Sequence, residues 1–145
     1  MESDDRLIFL MSKVYQQMMI ALKKSLRREG LDVTPAQALL LFFLKKNNGS
    51  SLTQLSRGVM IENSTVTGLI DRLEKSGCVE RKKSNDDRRV YLIHITEKGN
   101  LTAKRSLPLI KKINEGIKEG YSGEEIKAFK KVLTGNFHKF NQENR

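Results

Sequence analysis

Cysteine occurs once in this chain of 145 residues, tryptophan not at all and proline twice. A single thiol cannot close an internal disulfide, which agrees with a reducing compartment. Apolar residues never run for long: the longest uninterrupted stretch, Ala38 to Leu44, is seven residues, against the roughly 18 that a membrane-spanning helix needs. The opening Met1-Glu2-Ser3-Asp4-Asp5 is acidic where a secretory signal would be basic, and no small-residue cleavage site follows an apolar stretch. A cytoplasmic protein without a membrane span is the expectation.

Groups that carry chemistry are equally sparse. No glycine-rich phosphate loop is present, and neither His94 nor His138 has a neighbouring Cys, Asp or Glu at the spacing of a metal site or a catalytic triad. Both read as ordinary surface or boundary histidines, so no enzyme, metal or cofactor is expected. Cys78 reads as a small buried hydrophobe. There is no internal repeat and no low-complexity segment.

What the chain does have is positive charge, 27 Lys and Arg against 17 Asp and Glu, a formal net charge of +10. Such an excess suits a polyanionic partner. Arg81 to Arg89 alone holds five cations and two acids, so local clustering matters more than the total. The length fits one domain with a real core, or one domain with a helical extension.

Apolar spacing then supplies the elements. Leu7, Met11, Val14, Met18, Leu22 and Leu26 recur at steps of three and four and predict an amphipathic helix ending at Glu29-Gly30. Thr34-Pro35-Ala36-Gln37 combines an N-cap, a proline at the first helical position and a glutamine three residues on, so a second helix begins at Pro35 and stops at Asn47-Asn48-Gly49. Ser51 with Gln54 starts a short third helix to about Gly58. From Asn63 a fourth helix sets Val66, Leu69, Ile70 and Leu73 on one face and Ser64, Thr65, Thr67, Gly68, Asp71, Arg72 and Lys75 on the other, ending at Gly77.

The period changes to two over Cys78 to Lys83 and Arg89 to Ile95, with the polar Ser84-Asn85-Asp86-Asp87-Arg88 between them, which predicts a β-hairpin with a charged tip. Thr96 caps a fifth helix with a kink or break expected at Pro108. Ser122 and Glu125 open a sixth, carrying Ile126, Phe129, Leu133, Phe137 and Phe140 on one side.

Two short helices with a sharp turn, followed at once by a basic hairpin, make a winged helix-turn-helix. The fold class is therefore mainly α with a small β-hairpin wing (α+β), flanked by N- and C-terminal helices. A major groove about 12 Å wide admits one helix, whose outer face must meet base edges or phosphates. Short hydroxyl side chains at 64, 65 and 67 suit that face. Arg81, Lys82, Lys83, Arg88 and Arg89 lie on or beside a protruding loop from which long cations reach phosphates or a narrow minor groove. An RNA target is less expected, because no aromatic platform accompanies the basic loop.

These residues, taken in order, resemble the MarR family of bacterial transcriptional regulators. The likeness runs through Leu31-Asp32-Val33-Thr34-Pro35-Ala36-Gln37, Asn63-Ser64-Thr65-Val66-Thr67, Asp71-Arg72-Leu73-Glu74-Lys75-Ser76-Gly77, Asp87-Arg88-Arg89 and Ile95-Thr96-Glu97-Lys98-Gly99. It covers essentially the whole chain and implies a homodimer on a pseudo-palindromic operator of double-stranded DNA, with repression of a nearby gene as the usual outcome. On that pattern residues 1–33 and 100–145 dimerise and 34–99 bind DNA, the recognition helix being 63–77 and the wing 81–89. The apolar stripes support a partner independently, since Leu7, Leu10, Met11 and Val14, with Phe129, Leu133, Phe137 and Phe140, exceed what a winged domain of about 70 residues covers.

Position by position, the resemblance implies that Ser64, Thr65 and Thr67 read the major groove and Arg89 enters the minor groove. Lys82, Lys83 and Arg88 accompany it on the wing. Asp87 braces either Arg89 or an arginine of the recognition helix, and Arg72 is either a phosphate contact or an ion-pair partner of Asp87. Gly68 departs from the pattern, because many members carry an arginine there. The cysteine that one subgroup uses in its first helix to sense peroxides is absent, as is the His/Glu cluster of metal-sensing members. Members also bind small aromatic or lipophilic effectors in a cleft, which Tyr15, Met18, Met19, Phe42 and Phe43 would line here. The alternatives are a winged-helix protein-interaction module, or an activator without small-molecule control.

Overall fold

Three helix starts in this chain are written as a hydroxyl residue followed three positions later by Gln or Glu, and in the computed structural model, which describes residues 6–143, all three are closed in both directions. Thr34 accepts from the Gln37 N–H at 3.2 Å while Gln37 accepts from the Thr34 N–H at 2.8 Å. Ser51 with Gln54 and Ser122 with Glu125 repeat the arrangement. Each box satisfies two donors that a helix start would otherwise leave unpaired. The Ser122 bonds also hold the Glu125 carboxyl below its ordinary pKa.

The elements are α1 (Leu7–Arg28), α2 (Pro35–Lys46), β1 (Ser50–Ser51), α3 (Leu52–Val59), α4 (Asn63–Lys75), β2 (Val79–Lys83), β3 (Tyr91–Ile95), α5 (Glu97–Lys118) and α6 (Gly123–Glu143). The acidic opening Met1 to Asp5 lies outside the described residues. Among those described, no helix is long and apolar enough to cross a membrane.

Contacts divide the chain into two compact units, residues 1–111 and 112–145. In the first, Leu40, Leu41 and Leu44 of α2 meet Leu55 of α3, Val66, Leu69, Ile70 and Leu73 of α4, Ile93 of β3 and Ala103 of α5, all buried. Each of these leucine, isoleucine and valine side chains contributes about 1.5–3 kcal/mol relative to exposure. All four apolar positions that the spacing assigns to the inner face of α4 are in this core. Leu22 and Leu26 bury the C-terminal half of α1, and Arg105 of α5 donates to the Glu29 carbonyl just beyond it. The second unit holds the end of α5 and α6, and α6 buries none of its described residues.

Two expectations need correction. The wing is not a hairpin alone but a three-stranded antiparallel sheet in the order β1-β3-β2, with Ile93 opposite both Ser50 and Arg81. A strand of two residues is too short to show a period, and it forms because Asn48 accepts from the Ile95 N–H at 2.9 Å and the Gly49 N–H donates to Ile93 O at 3.0 Å. Of the kink or break expected at Pro108, the break does not occur: α5 is one helix from Glu97 to Lys118 with Pro108 inside it. One missing donor is a local loss, and the turns on either side keep the helix.

The junction of α4, β2 and α5 is unusually close. Gly77, at φ 79°, ends α4 in the left-handed region that glycine tolerates. Its carbonyl accepts from the Thr96 hydroxyl at 2.6 Å, and the same oxygen of Thr96 receives the Gly99 N–H. Lys98 donates to the Ser76 carbonyl at 2.6 Å. A Cβ at Gly99 would stand 2.0 Å from the Cys78 carbonyl oxygen, so only glycine lets α5 start against that backbone. Cys78 is buried there, as expected, at 2% exposure.

Candidate nucleic-acid interface

The buried stripe of α4 fixes which side of that helix faces outward. Ser64, Thr65 and Arg72 are exposed and Thr67 and Gly68 half-buried. The Thr67 hydroxyl donates to the Asn63 carbonyl at 2.8 Å, so its one donor is engaged within the helix. A Cβ at Gly68 would meet no atom within 4 Å; internal packing does not demand glycine there. At 13 residues α4 is about 20 Å long. It is aimed by a tight turn from α3 in which Met60, at φ 57° and ψ 41°, is left-handed and 65% exposed, and in which the Ser56 hydroxyl donates to the Ile61 carbonyl.

The loop of the wing runs from Ser84 to Val90, longer than the expected turn, with β3 starting at Tyr91 rather than Arg89. The Ser84 N–H donates to Val90 O at 2.8 Å and the Val90 N–H to Asp87 O at 2.9 Å, closing the loop. Inside it Asp87 Oδ1 accepts from the Arg89 backbone N–H at 3.0 Å and from its Nε at 3.1 Å, and Oδ2 accepts from Nη2 at 3.3 Å. The Arg89 side chain is nonetheless 90% exposed. It is therefore oriented without being covered. These bonds, the side-chain ones foremost, hold the Asp87 carboxyl below its ordinary pKa. Of the alternatives left open for Asp87, the carboxylate takes Arg89; it forms no pair with Arg72.

The remaining cations differ in how committed they are. Lys82 pairs with Glu80 at 3.0 Å across exposed side chains. Arg72, Lys75, Lys83 and Arg88 form no ion pair among the described residues. Arg81, expected beside them as a cation reaching outward, is instead turned inward onto α4, with Nη2 at 2.6 Å from Asp71 Oδ1 and Nη1 at 2.7 Å from Glu74 Oε1. Partial burial opposes its charge, but hydrogen bonds and charge from those carboxylates outweigh it and raise its pKa. The sequence reading missed this cluster. Its available signal was two acids three apart on the outer face of α4 and a cation at the midpoint of the next strand.

Tyr15 and Met19 come together with Ile20 and Lys23 of α1 and with Thr34, Pro35 and Ala36 around a cavity of about 300 Å³. Met18, Phe42 and Phe43, expected in the same lining, are not part of it. Phe43 packs against α3, where a Cβ on Gly58 would meet its ring at 2.2 Å, and the Phe42 ring lies under the Lys46 ammonium at 4.9 Å. Lys23, which the sequence reading did not single out, is the one charged group of the lining.

The expected dimerisation residues are strongly exposed. Leu7, Leu10, Met11 and Val14 on α1 and Phe129, Leu133, Phe137 and Phe140 on α6 are between 41% and 65% accessible. His94 packs its ring over Gly49, and no group of three or more His, Cys, Asp or Glu able to hold a metal occurs among the described residues.

Comparison with known proteins fits this geometry. A family model described as the MarR family matches residues 33–91. An HTH-type transcriptional regulator of Bacillus subtilis, YsmB, is 33% identical over 70% of this chain and 69% of its own length. The HTH-type transcriptional repressor YetL of the same organism is 32% identical over 72% of this chain, and the aligned part spans 62% of that relative. The crystal structure of Streptococcus pneumoniae FabT in complex with DNA has 27% identity, covers 99% of this chain and all of that one, and superposes with a TM-score of 0.79.

Proposed function

The chain belongs to the MarR family of winged helix-turn-helix transcriptional regulators, and from that premise we propose that it is a sequence-specific DNA-binding repressor, not an enzyme, acting in the cytoplasm as a homodimer on a pseudo-palindromic operator. The observation that carries this reading is the wing: Arg89 is held in place by Asp87 through three hydrogen bonds and yet left almost entirely to solvent. An arginine fixed in that way has given up rotamer freedom before any partner arrives, which suits insertion into a narrow, electronegative minor groove. The outward Ser64, Thr65 and Thr67 of α4 take the major groove, where their short side chains let the helix sit deep. Arg72, Lys82, Lys83 and Arg88 supply phosphate contacts, and Gly68 admits the close approach of the DNA backbone.

Residues 34–99 are the DNA-binding part in this reading, and residues 1–33 and 100–145 the dimerisation parts. The exposed apolar faces of α1 and α6 support it, since water would otherwise cover eight large apolar side chains on α1 and five on α6. Relief of repression by a small molecule is supported by the cavity between α1 and the start of α2, whose apolar walls and single cation at Lys23 suit a small aromatic or lipophilic acid.

Binding to duplexes from the region upstream of the protein's own gene, followed by footprinting and a salt titration, tests the proposal. Log affinity should fall steeply and linearly with log salt, by about 0.9 for each phosphate contact. Salt-insensitive behaviour and indifference to every duplex at low ionic strength would leave the protein-interaction module in its place.

A further inference from the structure

Asp71 and Glu74 are oddly placed for a helix that meets a polyanion. They sit three residues apart, hence on one face of α4, and Asp71 is 60% exposed. Carboxylates beside phosphates weaken binding. Their partner accounts for them. Arg81, at the midpoint of β2 and opposite the fully buried Ile93, spends one guanidinium nitrogen on each acid, at 2.6 and 2.7 Å. Glu74 takes the residue by its backbone too, accepting from the Arg81 N–H at 3.3 Å. The Arg81 side chain is only 20% exposed, against 59% for Lys82 beside it.

From this we infer that Arg81 is a positioning residue: clamped by Asp71 and Glu74, it sets the angle between wing and recognition helix and touches no phosphate itself. The inference rests on the DNA-binding reading above. Exposed ion pairs are generally weak, but a planar fork held by two carboxylates from one rigid helix has a fixed direction, which a lysine ammonium cannot impose. With β2 tied to α4 at its middle, the loop that carries Arg89 starts at Ser84, three residues beyond a fixed point. Ser64, Thr65 and Arg89 can then engage adjacent grooves together. Without the clamp the same contacts form only after the wing has been ordered, and affinity falls by that ordering cost.

The test uses the full chain and a duplex selected by the unaltered protein from a random library. Failure of the unaltered protein to select any duplex at low salt would sink the DNA-binding reading and not the clamp. The decisive variant is the double substitution Asp71→Asn with Glu74→Gln, which preserves shape and adds two units of positive charge per chain. Electrostatics alone makes it bind more tightly. The clamp requires about tenfold weaker binding, the size of coupling expected for groups in direct contact, with hydroxyl-radical protection lost in the minor groove under the wing. Equal or tighter binding overturns the proposal.

Arg81→Met gives the second reading. Its affinity should also drop, with the slope of log affinity against log salt unchanged; a slope reduced by about 0.9 per protomer would identify Arg81 as a phosphate contact and defeat the inference. Stoichiometric titration of each variant sets its active fraction, so that a less stable fold is not read as a weaker complex.

Discussion

Arg81 and Arg89 stand eight residues apart on one hairpin, and their surroundings give them opposite work. Arg89 is bonded only to its own loop and faces solvent, so Arg89→Ala should weaken duplex binding strongly while leaving the melting temperature nearly unchanged; isothermal titration beside a thermal melt checks both. Because the folded-state pKa of Asp87 is depressed, whatever the pair contributes is present above the ordinary carboxylate range and is lost as pH falls through the lowered value. The wing arginine is therefore held at neutral pH and released only in acid. A duplex titration that showed Arg89 released near pH 7 would contradict this. The Asp87–Arg89 pair was within reach of sequence reasoning since its members are two positions apart in one turn. The Arg81 clamp left only a weak signal, two acids three apart on one helix face and a cation in the next strand, because those acids lie seven and ten residues upstream across a helix end and only the folded backbone brings them near. Gly99 was visible as part of a motif but not as a contact. Gly99→Ala forces a Cβ onto the Cys78 carbonyl and should cost about 1–3 kcal/mol, read from the urea midpoint.

Elements were legible wherever a cap or a period marks them. Thr34, Ser51 and Ser122 each announced a helix, and Gly77 its end, because those signals act within one turn of the chain. Ser51→Ala should remove about 1 kcal/mol from α3 and the winged core, measurable by chemical denaturation. The turn from α3 to α4 was legible in place and not in conformation: nothing in the residue type foretells a left-handed methionine. Met60→Gly relieves about 1–2 kcal/mol of backbone strain, of which the freer unfolded chain returns part, so the variant should be the more stable one in the same assay. A fall in its midpoint would mean that the exposed Met60 side chain packs on something. β1 could not be read, as two residues have no alternation, and Pro108 misled because a proline's local penalty does not settle whether the surrounding turns hold.

At the scale of the molecule, the mismatch between apolar stripe and available cover was clear from the sequence and is clear in the exposed faces of α1 and α6. What it could not convey is which expected lining residues stay at the α1–α2 cavity, since Phe42 and Phe43 have the helical spacing of pocket and core alike. Leu133→Asp places a carboxylate on the bare face of α6 and should convert a dimer to a monomer by light scattering, with far-UV circular dichroism retained. The lone thiol of Cys78 is sealed at the junction where α4, β2 and α5 converge. An alkylating reagent can reach it only when that junction parts, so the rate of its labelling is a clock for opening of the winged unit. A bound duplex should slow that clock by the factor one plus concentration over Kd, turning a residue with no part in recognition into a gauge of it.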